Sequence, residues 1–285
     1  MTVVTNAEEL LDALATADDI EVDGSLSGMA AITLPPGTRL RGGTLRFGAK
    51  GIRLTSDNQL EDVTVIVPDN EVAIGCGAAD IGRARLRNVR IRGQVLLTPR
   101  HGHVEVDGLT VASADLRGRE ERPHGFGVDV LQGAFTLWNR SDAPGLTATL
   151  VGISAGAADA PIRGSGVFVA GPVEVDLLRT GPVYTDGGIE PGTPDLISGG
   201  VYVITGARVQ TVINDGPVTT HGANDMALGS WGTVGSWTAR ARRRSRLQRL
   251  RRPPGQRPLP AHRDVRRRRG RGAGEQGPAG PGSRG

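Results

Sequence analysis

This chain of 285 residues has one cysteine, four Phe, three Trp and two Tyr, and no run of 18 apolar residues. The lone Cys76 excludes an intramolecular disulfide framework and Cys-rich structural zinc sites. The opening Met1-Thr2-Val3-Val4-Thr5-Asn6 has neither a basic n-region nor an apolar h-region, and no segment reaches membrane length. A cytoplasmic chain without a membrane span is therefore expected. Nothing in the sequence calls for a cofactor or a bound metal.

Acidic charge is scarce at one end only. Lys and Arg total 34 against 30 Asp and Glu, but residues 239–285 hold 16 Arg and 2 acids. The first 238 residues then carry 18 basic and 28 acidic groups, so the bulk of the chain is acidic. Over the last 47 positions Arg, Gly, Pro and Ala supply 16, 8, 6 and 5, without Lys, Ile, Tyr or Phe. Those four amino acids belong to the all-G/C codon families, so an out-of-frame reading of a GC-rich gene is the expectation for this disordered tail. The alternative is a genuine basic arm that binds phosphate backbones by charge, which makes nucleic acid a partner only if the tail is genuine. A chain truncated in this way would expose a raw strand edge and self-associate edge to edge.

What the chain has in abundance is glycine, 43 residues, and short Val/Leu/Ile alternations. Leu40 to Phe47, Leu60 to Val67, Leu86 to Gly93 and Val106 to Ser113 share one pattern, with starts 20, 26 and 20 residues apart. Alternation with period two puts Leu45, Val65, Ile91 and Val111 on one face and Thr44, Thr64, Arg90 and Thr110 on the other. A second repeat, at an offset of 35, matches Gly171-Pro172-Val173 through Gly187 to Gly206-Ala207-Arg208 through Gly222. Its length is a normal coil enlarged by a loop of nine residues, Ile189 to Ile197. Three short strands per unit, Gly or Gly-Pro corners and no helical spacer predict an all-β, right-handed parallel β-helix over residues 20–238. Asn6, Glu8 and Glu9, followed by Leu10, Leu11 and Leu14, predict a short helix within residues 1–19 that caps the first coil.

The runs Thr5-Asn6-Ala7-Glu8-Glu9-Leu10-Leu11, Ile20-Glu21-Val22-Asp23-Gly24-Ser25-Leu26 and Ile32-Thr33-Leu34-Pro35-Pro36-Gly37-Thr38 carry a resemblance. They resemble the opening of pectate-lyase-like right-handed β-helix proteins. Over most of residues 1–238 the chain is also similar to bacterial β-helix-repeat proteins. The resemblance implies the fold and a polysaccharide or oligosaccharide partner. The later lyase signatures are absent, as is the Asn-Thr-Asp, Asp-Asp and Gly-His-Gly set of polygalacturonases, which His101-Gly102-His103 matches only superficially.

Several residue groups are candidates for chemistry. Arg41, Glu61, Arg87 and Asp107 align in one outward column of alternating sign, which reads as a cross-coil ion-pair ladder. The repeat places Asp186 and His221 at one position of adjacent coils, where an Asp can orient a His for general acid or base work. These two are the catalytic candidates, and the bland alternative is a polar ladder at a Thr-x-Gly turn. A carboxylate partner for Asp186 would be Asp225 or Asp215. Phe168 and Tyr202 form another column, outward if the neighbouring valines face in, and with Tyr184 they are the substrate-binding candidates. His101 and His103, then His124, Asp129 and Trp138 in the aperiodic segment Ala114 to Gly145, are secondary candidates. Two functional classes follow: a carbohydrate-recognising lyase or hydrolase, and a non-catalytic structural or interaction β-helix. The sequence leaves open whether the chain is an enzyme.

Overall fold

The computed structural model describes residues 1–125 and 127–241, together with the backbone of the strand Arg243–Arg246. The expectations for residues 247–285 fall outside the described residues. The described chain winds into a parallel β-helix with three strand faces per coil.

Each face owes its register to one aliphatic column that points into the coil. On the first face Ile20, Leu40, Leu60, Leu86, Val106, Leu150, Leu178 and Val212 stack in register. The second face stacks Leu26, Leu45, Val65, Ile91 and Val111. The third stacks Ile32, Ile52, Ile74, Val95, Phe135, Val167 and Val201. All of these side chains are buried. Each contributes about 1.5–3 kcal/mol on burial, and a slip of one residue would turn a whole strand's apolar set outward. The period-two pattern of the sequence therefore settles the register.

Corners need backbone that L-residues rarely adopt. The bend between the first two faces recurs at Asp62, Asn88, Gly108 and Gly152, with φ of 52°, 48°, 81° and 74°. Asp and Asn are the non-glycine residues that best tolerate this left-handed region, and the Asn88 amide donates to Asp62 Oδ1 at 2.6 Å.

The helix forms over Ala7–Thr16. Asn6 accepts the Glu9 N–H at 3.0 Å, and Glu9 accepts from the Thr5 N–H at 2.7 Å, which together satisfy two donors at the helix start. Leu10 and Ala13 close the end of the core, whereas Leu11, expected in the apolar stripe, is 58% exposed. A strand not anticipated from the sequence, Thr2–Val4, precedes the helix and pairs in parallel with Asp19–Val22. At the other end the strand Thr233–Ala239 pairs with Arg208–Asn214, and the Arg243–Arg246 backbone pairs with Val218–His221. Coil geometry thus continues into the first arginines of the basic segment.

The charged column of the first face stacks as expected, but among the described residues no ion pair joins two of its four members. Arg41, Glu61, Arg87 and Asp107 are successive register partners. The ion pairs of this face are others: Arg41 binds its register partner Glu21 at 3.2 Å, Arg85 binds its register partner Glu105 at 3.0 Å, and Glu61 binds Arg39 diagonally at 2.5 Å. Apart from Glu61 these groups are partly exposed, so the pairs order side chains more than they stabilise the fold.

Candidate functional site

The repeat pairing expected from the sequence is realised: Asp186 and His221 are register partners, as are Tyr184 and Thr219. The column is longer than the repeat suggests, running Asp115, Arg163, Asp186, His221 and, by backbone alone, Arg246. Asp186 meets one group of the preceding coil and one of its own turn. Arg163 Nη1 lies 3.1 Å from Asp186 Oδ2, and the Gly188 N–H donates to Oδ1 at 3.1 Å. Arg117, bound to Asp115 at 2.5 Å, approaches the same corner. A Cβ on Gly188 would lie 2.9 Å from Arg117 Cδ and 3.6 Å from Arg163 Nη1.

A second carboxylate completes the cluster. Of the two partners weighed for Asp186, Asp225 is the one at the site, while Asp215 is held by Arg179 and Arg240. Asp225 opens the strand Asp225–Ser230 and is 8% exposed. Its Oδ1 accepts from the Ser198 hydroxyl and its Oδ2 from the Gly187 N–H at 3.3 Å. Burial pushes its pKa up to about 6; the Ser198 and Gly187 hydrogen bonds oppose this, the Asp186 charge adds to it and His221 opposes it.

The glycines of the two Thr-x-Gly turns make room for these acids. At Gly187 a Cβ would sit 1.9 Å from Ser198 Oγ and 2.6 Å from Asp225 Oδ1. At Gly222, whose φ is 139°, it would sit 3.0 Å from Asp225 Oδ2 and 3.4 Å from Asp186 Oδ1. Both carboxylates therefore converge on a point that only a missing side chain leaves open. The sequence signal for this was the shared Thr-x-Gly itself. Ser198, Arg163 and Arg117 carried no such signal, because strands far apart in the chain deliver them.

The aromatic column requires a correction. Phe168 and Tyr202 are register partners and point away from the coil interior, as expected, but both are fully buried rather than presented to a ligand. They form a satellite cluster with Val130, Trp138, Ala170 and Ile204. Trp138 packs on Phe168 at 5.7 Å between ring centroids, and Trp231 meets Tyr202 edge-on at 5.4 Å. The Tyr202 hydroxyl donates to the Ser198 carbonyl, and burial pushes its pKa up. The segment around Val130 and the loop end at Ile197 supply the cover, which period-two reasoning does not see. Tyr184 remains half-buried on the strand that ends at Asp186.

The secondary candidates separate. His103 Nδ1 lies 2.8 Å from Thr147 Oγ1 in the next coil, and His101 is exposed. Asp129 is paired with Arg122 at 2.7 Å, His124 is exposed, and Trp138 lies under the Arg140 guanidinium at 4.6 Å. Cys76 is buried, and burial pushes its thiol pKa up. Among the described residues no three His, Cys, Asp or Glu side chains converge as metal ligands, and no helix is long and apolar enough to cross a membrane.

No family model and no curated protein matches the chain. A solved structure described as L. reuteri 53608 SRRP is similar at 14% identity and a TM-score of 0.31, over 87% of this chain and 99% of that chain. A likeness at that score carries no argument.

Proposed function

We propose that this chain is a carbohydrate-recognising β-helix of the pectate-lyase-like kind, and that Asp186 and Asp225 form an acid–base pair that cleaves a glycosidic bond. The observation that carries the reading is the buried Asp225 carboxyl, raised to about 6, beside Asp186 across the bare Gly222. Two carboxyl groups whose environments differ this much divide the labour of general acid and anion. Asp225 holds a proton for the leaving oxygen. Asp186, with Arg163 at its side, is the group placed to attack. Oxygens 3.0 and 3.4 Å from one point are closer together than the ~6.5 Å lower bound of inverting pairs, which favours the retaining route. In that route Asp186 bonds to the anomeric carbon while the Asp225 proton passes to the departing sugar. Water then attacks that carbon, giving its proton to Asp225 and releasing Asp186.

A second reading, binding without turnover, is favoured by the fact that the carboxylate oxygens of both acids already have protein partners. The two part company in one assay. Release of reducing ends from a panel of neutral and acidic polysaccharides is measured alongside absorbance from unsaturated products. Hydrolysis that falls at least 100-fold in Asp225→Asn and in Asp186→Asn, and that declines in wild type above pH about 6, supports the first reading. Unsaturated products would reassign the chemistry to elimination. Retention on a polysaccharide without products supports the second, and no retention on any member rejects both.

A further inference from the structure

The outer surface of the third face carries a trough of about 490 Å³ in the first half of the coil stack, crossing the strands Ile32–Thr33, Ile52–Arg53, Val72–Cys76 and Gln94–Leu97. This is the size of an ordinary small-molecule site. Four strands span about 14 Å at ~4.8 Å per step. Its depth has a local cause. Thr33, Arg53, Gly75 and Leu96 are successive register partners, so the outward column loses its side chain at Gly75. A Cβ there would meet Val72 Cγ1 at 3.1 Å and nothing else closer than 3.8 Å; at Gly77 the nearest atom would be 4.0 Å away. The floor is thus open, and neither glycine is held at positive φ.

The chemistry of the walls is uneven. Ala31, Val72 and Leu96 are apolar, Thr33 and Thr98 supply hydroxyls, and no aromatic or acidic side chain lines the trough. The charged members are Lys50 and Arg53, both exposed, and among the described residues neither side chain makes an ion pair or hydrogen bond. Arg53 is the register partner of Gly75, so its side chain stands in the outward column at the point where the trough sinks. An anion would find unpaired partners at this rim, and an apolar chain would find apolar surface to cover along the floor. The absence of an aromatic platform speaks against a sugar ring.

The geometry points to a binding site for a small amphipathic anion, its apolar chain lying along the coil axis in the trough and its carboxylate or phosphate on Lys50 and Arg53. The inference does not depend on the function proposed for Asp186 and Asp225.

Titration calorimetry of the full chain with dodecanoate and with dodecyl phosphate, each below its micelle concentration, tests it; dodecanol and dodecyltrimethylammonium are the controls. One-to-one binding of at least one anion is expected, with the cationic amphiphile at least ten-fold weaker. The two head groups distinguish a carboxylate from a phosphate ligand. Replacing both Lys50→Ala and Arg53→Ala should weaken the anion at least ten-fold. Gly75→Phe should abolish binding at an unchanged melting temperature, and Gly77→Leu serves if the first variant is unstable. No binding of either anion, equal binding of the cationic amphiphile, or undiminished binding in a folded trough-filling variant would overturn the proposal.

Discussion

One sheet surface runs the length of this molecule, and its two halves are treated differently. From Thr33 to Leu96 the outward column is open and sinks at Gly75. From Thr136 through Phe168 to Tyr202 the same column is fully buried. The strands and their register are alike in both halves. What differs is that the chain leaves the coil after Leu116 and returns with Val130, Leu131 and Trp138, and that the loop before Leu196 brings Ile197 over the aromatic rings. Register decides which way a residue points, and excursions decide whether that direction ends in solvent.

The largest test of this contrast is a pair of truncations. Tyr202→Ala should cost about 3–5 kcal/mol in denaturant unfolding, because it opens a cavity in a closed cluster. Leu96→Ala, in the open half of the same column, should cost ~1 kcal/mol or less, because solvent already reaches that side chain. Equal costs would mean that the cover over Tyr202 is loose.

Next in size is a pH effect confined to the covered half. The folded-state pKa of Asp225, about 6, lies above its ordinary value of 3.8, so between those values the folded chain holds the extra proton. Stability from this group is present at low pH and is lost as pH rises through about 6. Asp69, Asp115 and Asp215 work in the opposite sense. Hydrogen bonds from Arg92, Arg117 and Arg179 hold them below the ordinary range, and their stabilisation is lost as pH falls. Asp225→Asn should therefore be more stable relative to wild type at pH 7.5 than at pH 4.5 by thermal melting. A constant difference would show that Asp225 is ionised throughout.

Smaller effects belong to the regular half. Asn88→Ala at the left-handed corner should cost ~1 kcal/mol, while Asn88→Gly stays near neutral, in paired denaturation curves. Smallest is Glu61→Gln in the ion ladder. A melting shift of no more than about 2 °C is expected, shrinking further in 1 M salt because Arg39, the partner of Glu61, is open enough to solvent for screening to weaken the pair.

Much of the fold was legible in the residues themselves. The alternation around Leu40, Leu60, Leu86 and Val106 set the coil, and the offset between Asp186 and His221 set their stacking. The strand Thr2–Val4 was missed, since three residues carry too little period to read. The site was only half legible. Asp186 and His221 follow from the repeat, and Asp225 or Asp215 from the need for a second carboxylate, but Ser198 and Arg163 reach them from other strands. Phe168 and Tyr202 were placed on the correct side of the strand and given the wrong environment, because their cover is delivered by residues without a period.

The sequence by itself determined the coil, its register and the alternating charges of the first face, for these follow from local geometry repeated at a fixed step. Tertiary structure alone decided which outward columns are closed, which of two aspartates stands beside Asp186, and how far burial raises the pKa of Asp225. Those outcomes depend on dielectric and on atoms brought together across long stretches of chain, and neither is encoded in any single repeat.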